Sequence, residues 1–253
     1  MKKIYYGKAV YDNKEIKAVL DVLKNSSLTL IDGPKVKKLE KTVSKLFGKK
    51  YGLMVNSGSS ANLLGLSSFN FKKGSEVITP NLTFSTTVAP IYQLGLIPHF
   101  IGVEKDKFIA DTSHIEKCIN KKTVAIMIPN LLGNIADWRI INQIAKKHKL
   151  KVIEDCAEAH GAMYNGQKVG SFGDVGCFSF FGNKVITTGE GGMCVTNNKQ
   201  LDDKMRILRD HGMSKTKRYW HEVIGYNYRM TNLQAAIGLA QLERIEEIHN
   251  NRR

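Results

Sequence analysis

Asp155 and Lys184 are the two residues of this chain whose placement could do chemistry. Asp155 follows the apolar run Val152-Ile153, which reads as a buried strand, and open α/β sheets place ligand contacts at the carboxyl ends of strands. Lys184 follows a second apolar run, Cys177 to Phe181, and a Gly182-Asn183 step. After it comes a loop of Thr187, Thr188, Gly189, Glu190, Gly191 and Gly192, whose glycines allow backbone to approach a ligand closely. A lysine held in a partly desolvated loop can lose its proton and attack a carbonyl. The pair suits pyridoxal 5'-phosphate (PLP), where a lysine makes the Schiff base and a carboxylate keeps the pyridine nitrogen protonated so that the ring accepts electrons. Taken singly, Asp155 reads as a loop-capping carboxylate and Lys184 as a solvated charge.

PLP also needs an anion site. Asn56-Ser57-Gly58-Ser59-Ser60 lies between a strand over Tyr51 to Val55 and a helix carrying Ala61, Leu63, Leu64 and Leu66. Unpaired N–H groups and the dipole at such a helix start attract phosphate, although these residues alone fit an ordinary capped helix better. Phe84 by itself reads as core, and Ser179 as a packed hydroxyl pointing away from Phe178 and Phe180 on a strand.

The elements that must position these groups follow from hydrophobic period. Strands over Val77 to Thr79, Pro98 to Val103 and Val124 to Ile128 alternate with helices after Ser85, near Ser113 to Ile119, and from Asp137 to His148. That alternation predicts right-handed crossovers and a mainly parallel sheet, an α/β fold. Upstream, Asn13 is placed to cap a helix with apolar positions Ile16, Val19, Leu20 and Leu23, and a second set, Val36, Leu39, Val43 and Leu46, ends at Gly48. Downstream, a helix over Gln200 to Arg209 precedes the long aromatic stretch His211 to Met230, and a long helix then runs from Thr231 through Ile245.

Glu-Asp-Cys-Ala-Glu-Ala-His-Gly (154–161), Asn-Lys-Val-Ile-Thr-Thr-Gly-Glu-Gly-Gly-Met (183–193) and Gly-Tyr-Asn-Tyr-Arg-Met-Thr-Asn (225–232) resemble the DegT/StrS family of nucleotide-sugar aminotransferases. The resemblance covers nearly the whole chain. It implies a fold-type-I PLP-dependent transferase large domain, with a mostly parallel sheet and helices on both faces. It implies Lys184 and Asp155 as catalytic residues, and Gly58, Ser59 and Ser179 at the cofactor phosphate. Phe84 would stack on the pyridine ring, Glu158 would lie near the phenolic oxygen, and Asn227 would reach the neighbouring subunit's cofactor phosphate in a homodimer.

The substrates so implied are a nucleotide-linked keto sugar such as a 4-keto-6-deoxyhexose, with glutamate as amino donor. Three departures from the family pattern stand out. Ser59 replaces a threonine, Glu158 replaces a glutamine, and Pro129 to Asn134 lacks the family's histidine-containing run. A related sugar-dehydrase branch shares the Asn56 to Leu64 stretch but has histidine where this chain has Lys184. Family members continue into a smaller carboxyl-terminal domain, so residues 1–253 are expected to be the large domain with the small domain absent or truncated. A cofactor-binding remnant without turnover is the rival expectation.

Composition narrows the class. With 38 Lys+Arg against 23 Asp+Glu the chain carries a formal charge of +15, yet the lysines are scattered and no basic run alternates with aromatics. A dedicated nucleic-acid role is therefore not expected, whereas attraction of an anionic nucleotide sugar is. Cys118, Cys156, Cys177 and Cys194 form no C-x-x-C pair and read as small buried hydrophobes, which suits the cytoplasm. Lys2, Lys3, Tyr5 and Tyr6 interrupt any apolar run at the start, so neither signal peptide nor membrane span is expected.

Overall fold

The apolar runs form a seven-stranded sheet because their side chains find helices on both sides. The computed structural model describes residues 7–252, and the reading of Lys2 to Tyr6 lies outside them. The strands are β1 (Tyr51–Val55), β2 (Glu76–Pro80), β3 (Ile97–Ile101), β4 (Thr123–Pro129), β5 (Lys151–Asp155), β8 (Val175–Ser179) and β9 (Gly192–Thr196). A small hairpin, β6 (Met163–Tyr164) and β7 (Gln167–Lys168), stands apart. In the order β1-β9-β8-β5-β4-β2-β3, the five strands from β8 to β3 run parallel, and β9 is antiparallel to both its neighbours. The reversal has a simple cause: the segment between Ser179 and Gly192 contains no helix, so the chain folds straight back beside β8.

The helices are α1 (Asn13–Asn25), α2 (Pro34–Leu46), α3 (Gly58–Ser67), α4 (Ser85–Gln93), α5 (Trp138–His148), α6 (Lys199–Arg209), α7 (Asn232–Leu242) and α8 (Ile245–Arg252). Side chains alternate faces along a strand, and the packing follows. Leu53, Val55, Ala125, Ile153 and Cys177 bury against α3, α4 and α6 through Leu64, Ile91 and Met205. Met54, Phe178, Met193 and Val195 face α2, α7 and α8, and Ile126 and Val152 face α5. The expected mostly parallel α/β sheet with helices on both faces is thus observed. None of the helices among the described residues is long and apolar enough to cross a membrane.

Four local expectations need correction. Asp12, not Asn13, caps α1, its side chain accepting from Lys14 N–H while Glu15 closes a capping box. Ile16, Leu20 and Leu23 are about half exposed, and the buried stripe of α1 is Glu15 and Val22. Glu15 can be buried because Gln241 and Arg244 both donate to Oε1, at 2.7 and 2.9 Å. Residues 113–119 form two single 3-10 turns rather than a helix, with Ile115 as their fully buried anchor. The long terminal helix breaks at Glu243 and Arg244, where Arg244 turns to pair with Asp12 and Glu15.

The same alternation splits Glu154 from Asp155. Asp155 shares the face of Ile153, under α3 and α4, while Glu154 points to the other face and accepts from Gly170 N–H at 2.7 Å and Gly173 N–H at 2.5 Å. Burial pushes its carboxyl above the usual range, partly offset by those bonds and by Lys49, whose Nζ donates to Gly173 O at 2.8 Å. Glu154→Ala should therefore strand two buried N–H groups and lower stability by about 3 kcal/mol, read as a reduced urea midpoint at unchanged slope. An unchanged midpoint would show that the 170–173 turn holds without it.

Candidate active site

At the carboxyl ends of β1, β2, β4, β5 and β8 the loops enclose a cavity of about 590 Å³, within the range of small-molecule sites. One wall is the amino terminus of α3. Ser57 caps it, its Oγ accepting from Ser60 N–H at 3.1 Å, and the first helical bond runs from Ala61 N–H to Ser57 O. The N–H groups of Gly58 and Ser59 come before that bond and belong to the free first turn. Gly58 is required by close approach: a Cβ there would meet Ser179 Cβ at 2.6 Å. Ser179 itself is buried, with Oγ accepting from Phe181 N–H at 3.3 Å, and it lines the cavity together with Ser57, Gly58 and Ser59. Hydroxyls, free N–H groups and a helix dipole together make an anion cradle.

Asp155 lies at the end of β5. Its Oδ2 accepts from Asn62 Nδ2 at 2.8 Å and Thr87 Oγ1 at 2.7 Å, and its Oδ1 from Ala157 N–H at 3.1 Å. Lys184, in the β8–β9 loop, lines the same cavity, and its Nζ lies 3.3 Å from Glu158 Oε1. The loop is pinned by its own threonines: Thr187 Oγ1 donates to Phe180 O and Thr188 N–H bonds the same carbonyl. The departure at Glu158 gains an explanation. Its Oε1 pairs with the lysine and its Oε2 accepts from Leu132 N–H at 2.8 Å, tying the lysine to the 131–133 turn. Leu132 is left-handed there, with φ of 55°.

Phe84 lines the cavity and is 66% exposed, so its ring offers an open face at the rim instead of joining the core. Seven of the eight residues singled out from sequence, Gly58, Ser59, Phe84, Asp155, Glu158, Ser179 and Lys184, share this cavity. Asn227 does not. It pairs across a bridge with Asp210 and accepts from Arg229 Nε at 3.2 Å. His160 lies beneath, edge-on to Phe178 and Phe180. Asn62, Thr83, Thr87 and Asn183 also line the cavity and were not foreseen; only the Gly182-Asn183 step before the lysine hinted at one of them. Burial pushes the Cys156 thiol well up, and a hydrogen bond to Cys194 together with burial does the same at Cys177, so both remain packing groups.

The pattern of the DegT/DnrJ/EryC1/StrS aminotransferase family matches residues 10–253. The chain belongs to that family. It is 43% identical over 236 residues to GDP-perosamine synthase of Caulobacter vibrioides, covering 93% of this chain and 63% of that one. Helicobacter pylori PseC, an aminotransferase involved in the biosynthesis of pseudoaminic acid, superposes with a TM-score of 0.92 at 33% identity, over 97% of this chain and 66% of PseC. A GDP-4-keto-6-deoxymannose-3-dehydratase with a trapped PLP-glutamate geminal diamine gives 0.92 at 32%, over 96% and 69%. The chain thus spans under two thirds of the length of the curated relative it matches.

Proposed function

We propose that this chain is the PLP-binding large domain of an aminotransferase that moves an amino group from glutamate to a nucleotide-linked 4-keto-6-deoxyhexose, as its similarity to GDP-perosamine synthase suggests. The observation that carries the reading is that Lys184 and Asp155 line one cavity together with the anion cradle of Gly58, Ser59 and Ser179. That donor set fits PLP: the α3 amino terminus with Ser59 and Ser179 would hold the phosphate, Asp155 the ring nitrogen, Phe84 a ring face and Lys184 the aldehyde carbon. PLP, when bound, supplies the carbonyl that takes up and returns the amino group and the ring that accepts the electrons. Lys184 Nζ would also be the general base at that end of the site, the group that takes up and returns a proton. Glu158 keeps that amine within reach through the ion pair. Lysine at 184, where the related dehydrases have histidine, supports amino transfer over dehydration. The free cysteines suit a cytoplasmic enzyme.

The test is incubation of the purified chain with PLP, glutamate and a panel of nucleotide-linked keto sugars, with amino sugar and 2-oxoglutarate measured by mass spectrometry. PLP retention without product would favour a cofactor-binding remnant, and neither retention nor product would reject both readings.

The reading includes a homodimer. Tyr219, Trp220 and Ile224 are exposed at 73, 55 and 94% on the segment that carries Asn227, and aromatic side chains of this kind are enriched in interfaces. Asn227, outside its own cavity, would then complete the partner's phosphate site. Asn227→Ala and Lys184→Ala should each be poorly active, while mixed subunits regain activity at the one intact site. Sedimentation as a monomer at working concentration, or no rescue despite subunit exchange, would reject the shared site.

A further inference from the structure

We infer that Asn62 and Thr87 are positioning residues for Asp155, and that Thr83 extends their hold to the Phe84 loop. The inference rests on the reading of this cavity as a PLP site and assigns a role to three side chains that it leaves unused.

The bonds have one consistent direction. Thr83 Oγ1 donates to Thr87 Oγ1 at 2.8 Å, Thr87 Oγ1 donates to Asp155 Oδ2 at 2.7 Å, and Asn62 Nδ2 reaches the same oxygen at 2.8 Å. Each hydroxyl gives its single proton onward and receives the next, so the chain cannot run the other way while Oδ2 accepts. Asn62 and Thr87 are almost fully buried and belong to α3 and α4, so two helices converge on one carboxylate oxygen. With Oδ2 taken by two donors, any proton shared with a ligand must lie at Oδ1. That oxygen holds only the longer bond from Ala157 N–H among the described contacts, and it keeps a lone pair for a ring N–H.

Asn62 shows that the arrangement is not there for packing. Its Nδ2 also donates to Thr86 O at 3.2 Å, but its Oδ1 is buried with no hydrogen-bond partner among the described residues. A side chain held with one polar atom unsatisfied is a poor choice for stability alone. Turning the amide over would set that oxygen against the carboxylate, so the network fixes the observed orientation. Through Thr83 the clamp also reaches the residue before Phe84, so the carboxylate and the exposed ring are set by one chain of bonds.

The test compares Thr87→Val, which keeps the shape and removes the hydroxyl, with Thr87→Ser, which restores it. PLP affinity of the apo-protein is read by fluorescence titration, and kcat and KM for the nucleotide sugar by steady-state assay. Thr87→Val should weaken PLP binding about 10-fold and lower kcat roughly 10- to 100-fold, the range for one hydrogen bond to a charged group, with KM changed less than about twofold. Thr87→Ser should recover most of both. Wild-type affinity and kcat in Thr87→Val would overturn the inference, as would equal impairment of the Val and Ser variants, which would mean packing alone. If Thr87→Val does not fold, Thr83→Val at the half-buried end of the chain decides: a PLP affinity weakened about threefold supports the clamp, and an unchanged one overturns it. Failure of the wild-type protein to bind PLP at all would instead overturn the cofactor reading and this inference with it.

Discussion

Lys184→Ala is expected to abolish amino transfer, by on the order of 10^4-fold or more, while leaving the protein folded. On the proposed function the loss is large because one amine would do two things, anchor the cofactor covalently and move the proton, and a positioned proton-transfer group alone supplies up to about 10^4. Folding should survive because the ion pair to Glu158 that the alanine breaks is still partly wet, with Lys184 17% and Glu158 32% exposed. Pairs of that kind contribute about 1 kcal/mol or less. Glu158 also keeps its second tie, the N–H of Leu132. The decisive measurement is borohydride reduction of the PLP-loaded protein followed by mass spectrometry. Wild type should carry the added mass on the peptide containing Lys184, and the variant should carry none. A variant that still traps PLP on another peptide would move the anchor to a different lysine. A variant that retains turnover would remove Lys184 from the chemistry.

The strands and the residues that line the cavity at their ends were legible because each announces itself locally. Val152-Ile153 before Asp155, or Cys177 to Phe181 before the Gly182-Asn183-Lys184 step, combines an apolar run with a polar residue after it, and burial of the run forces the strand, which in the second case ends at Ser179. The clamp on Asp155 was not legible for the opposite reason. Asn62 sits beside Ala61, Leu63 and Leu64 in one helix and Thr87 near the start of another, at separations of 93 and 68 residues from the carboxylate they hold. Nothing in either neighbourhood marks it until the sheet brings α3 and α4 over β5. The misreading of α1 has a related cause. Ile16, Leu20 and Leu23 keep a helical period, which local pattern takes for the core face, but a buried Glu15 bound by Gln241 and Arg244 turns the helix the other way. Hydrophobic period reports where apolar groups are, and a satisfied buried charge can outrank it.

Asp155→Asn should be the next most damaging change, lowering kcat/KM roughly 10^2- to 10^3-fold, because an amide cannot satisfy the ring nitrogen and the protein around it at once. The carboxylate meets donors on both oxygens, Asn62 and Thr87 at Oδ2 and Ala157 N–H at Oδ1. An asparagine has one oxygen to offer. Set at the Oδ2 position, it keeps Asn62 and Thr87 but points its NH2 at the Ala157 N–H and at any ring N–H beside it. Set at the Oδ1 position, it points NH2 at the amide of Asn62. Either way a donor faces a donor in a place that is 6% exposed, and the negative charge that would hold a ring proton is gone. The variant should therefore bind PLP more weakly, unfold at a lower temperature and lose most of its turnover, with the loss in kcat exceeding any change in KM for the nucleotide sugar. Pairing it with Thr87→Val separates the two roles: once the carboxylate is absent, removing the hydroxyl should cost less than about twofold more in kcat, since its acceptor no longer does the work. Near-normal turnover in Asp155→Asn, or full additivity with Thr87→Val, would mean that the carboxylate merely closes the loop to Ala157 and that the ring nitrogen is held by another group.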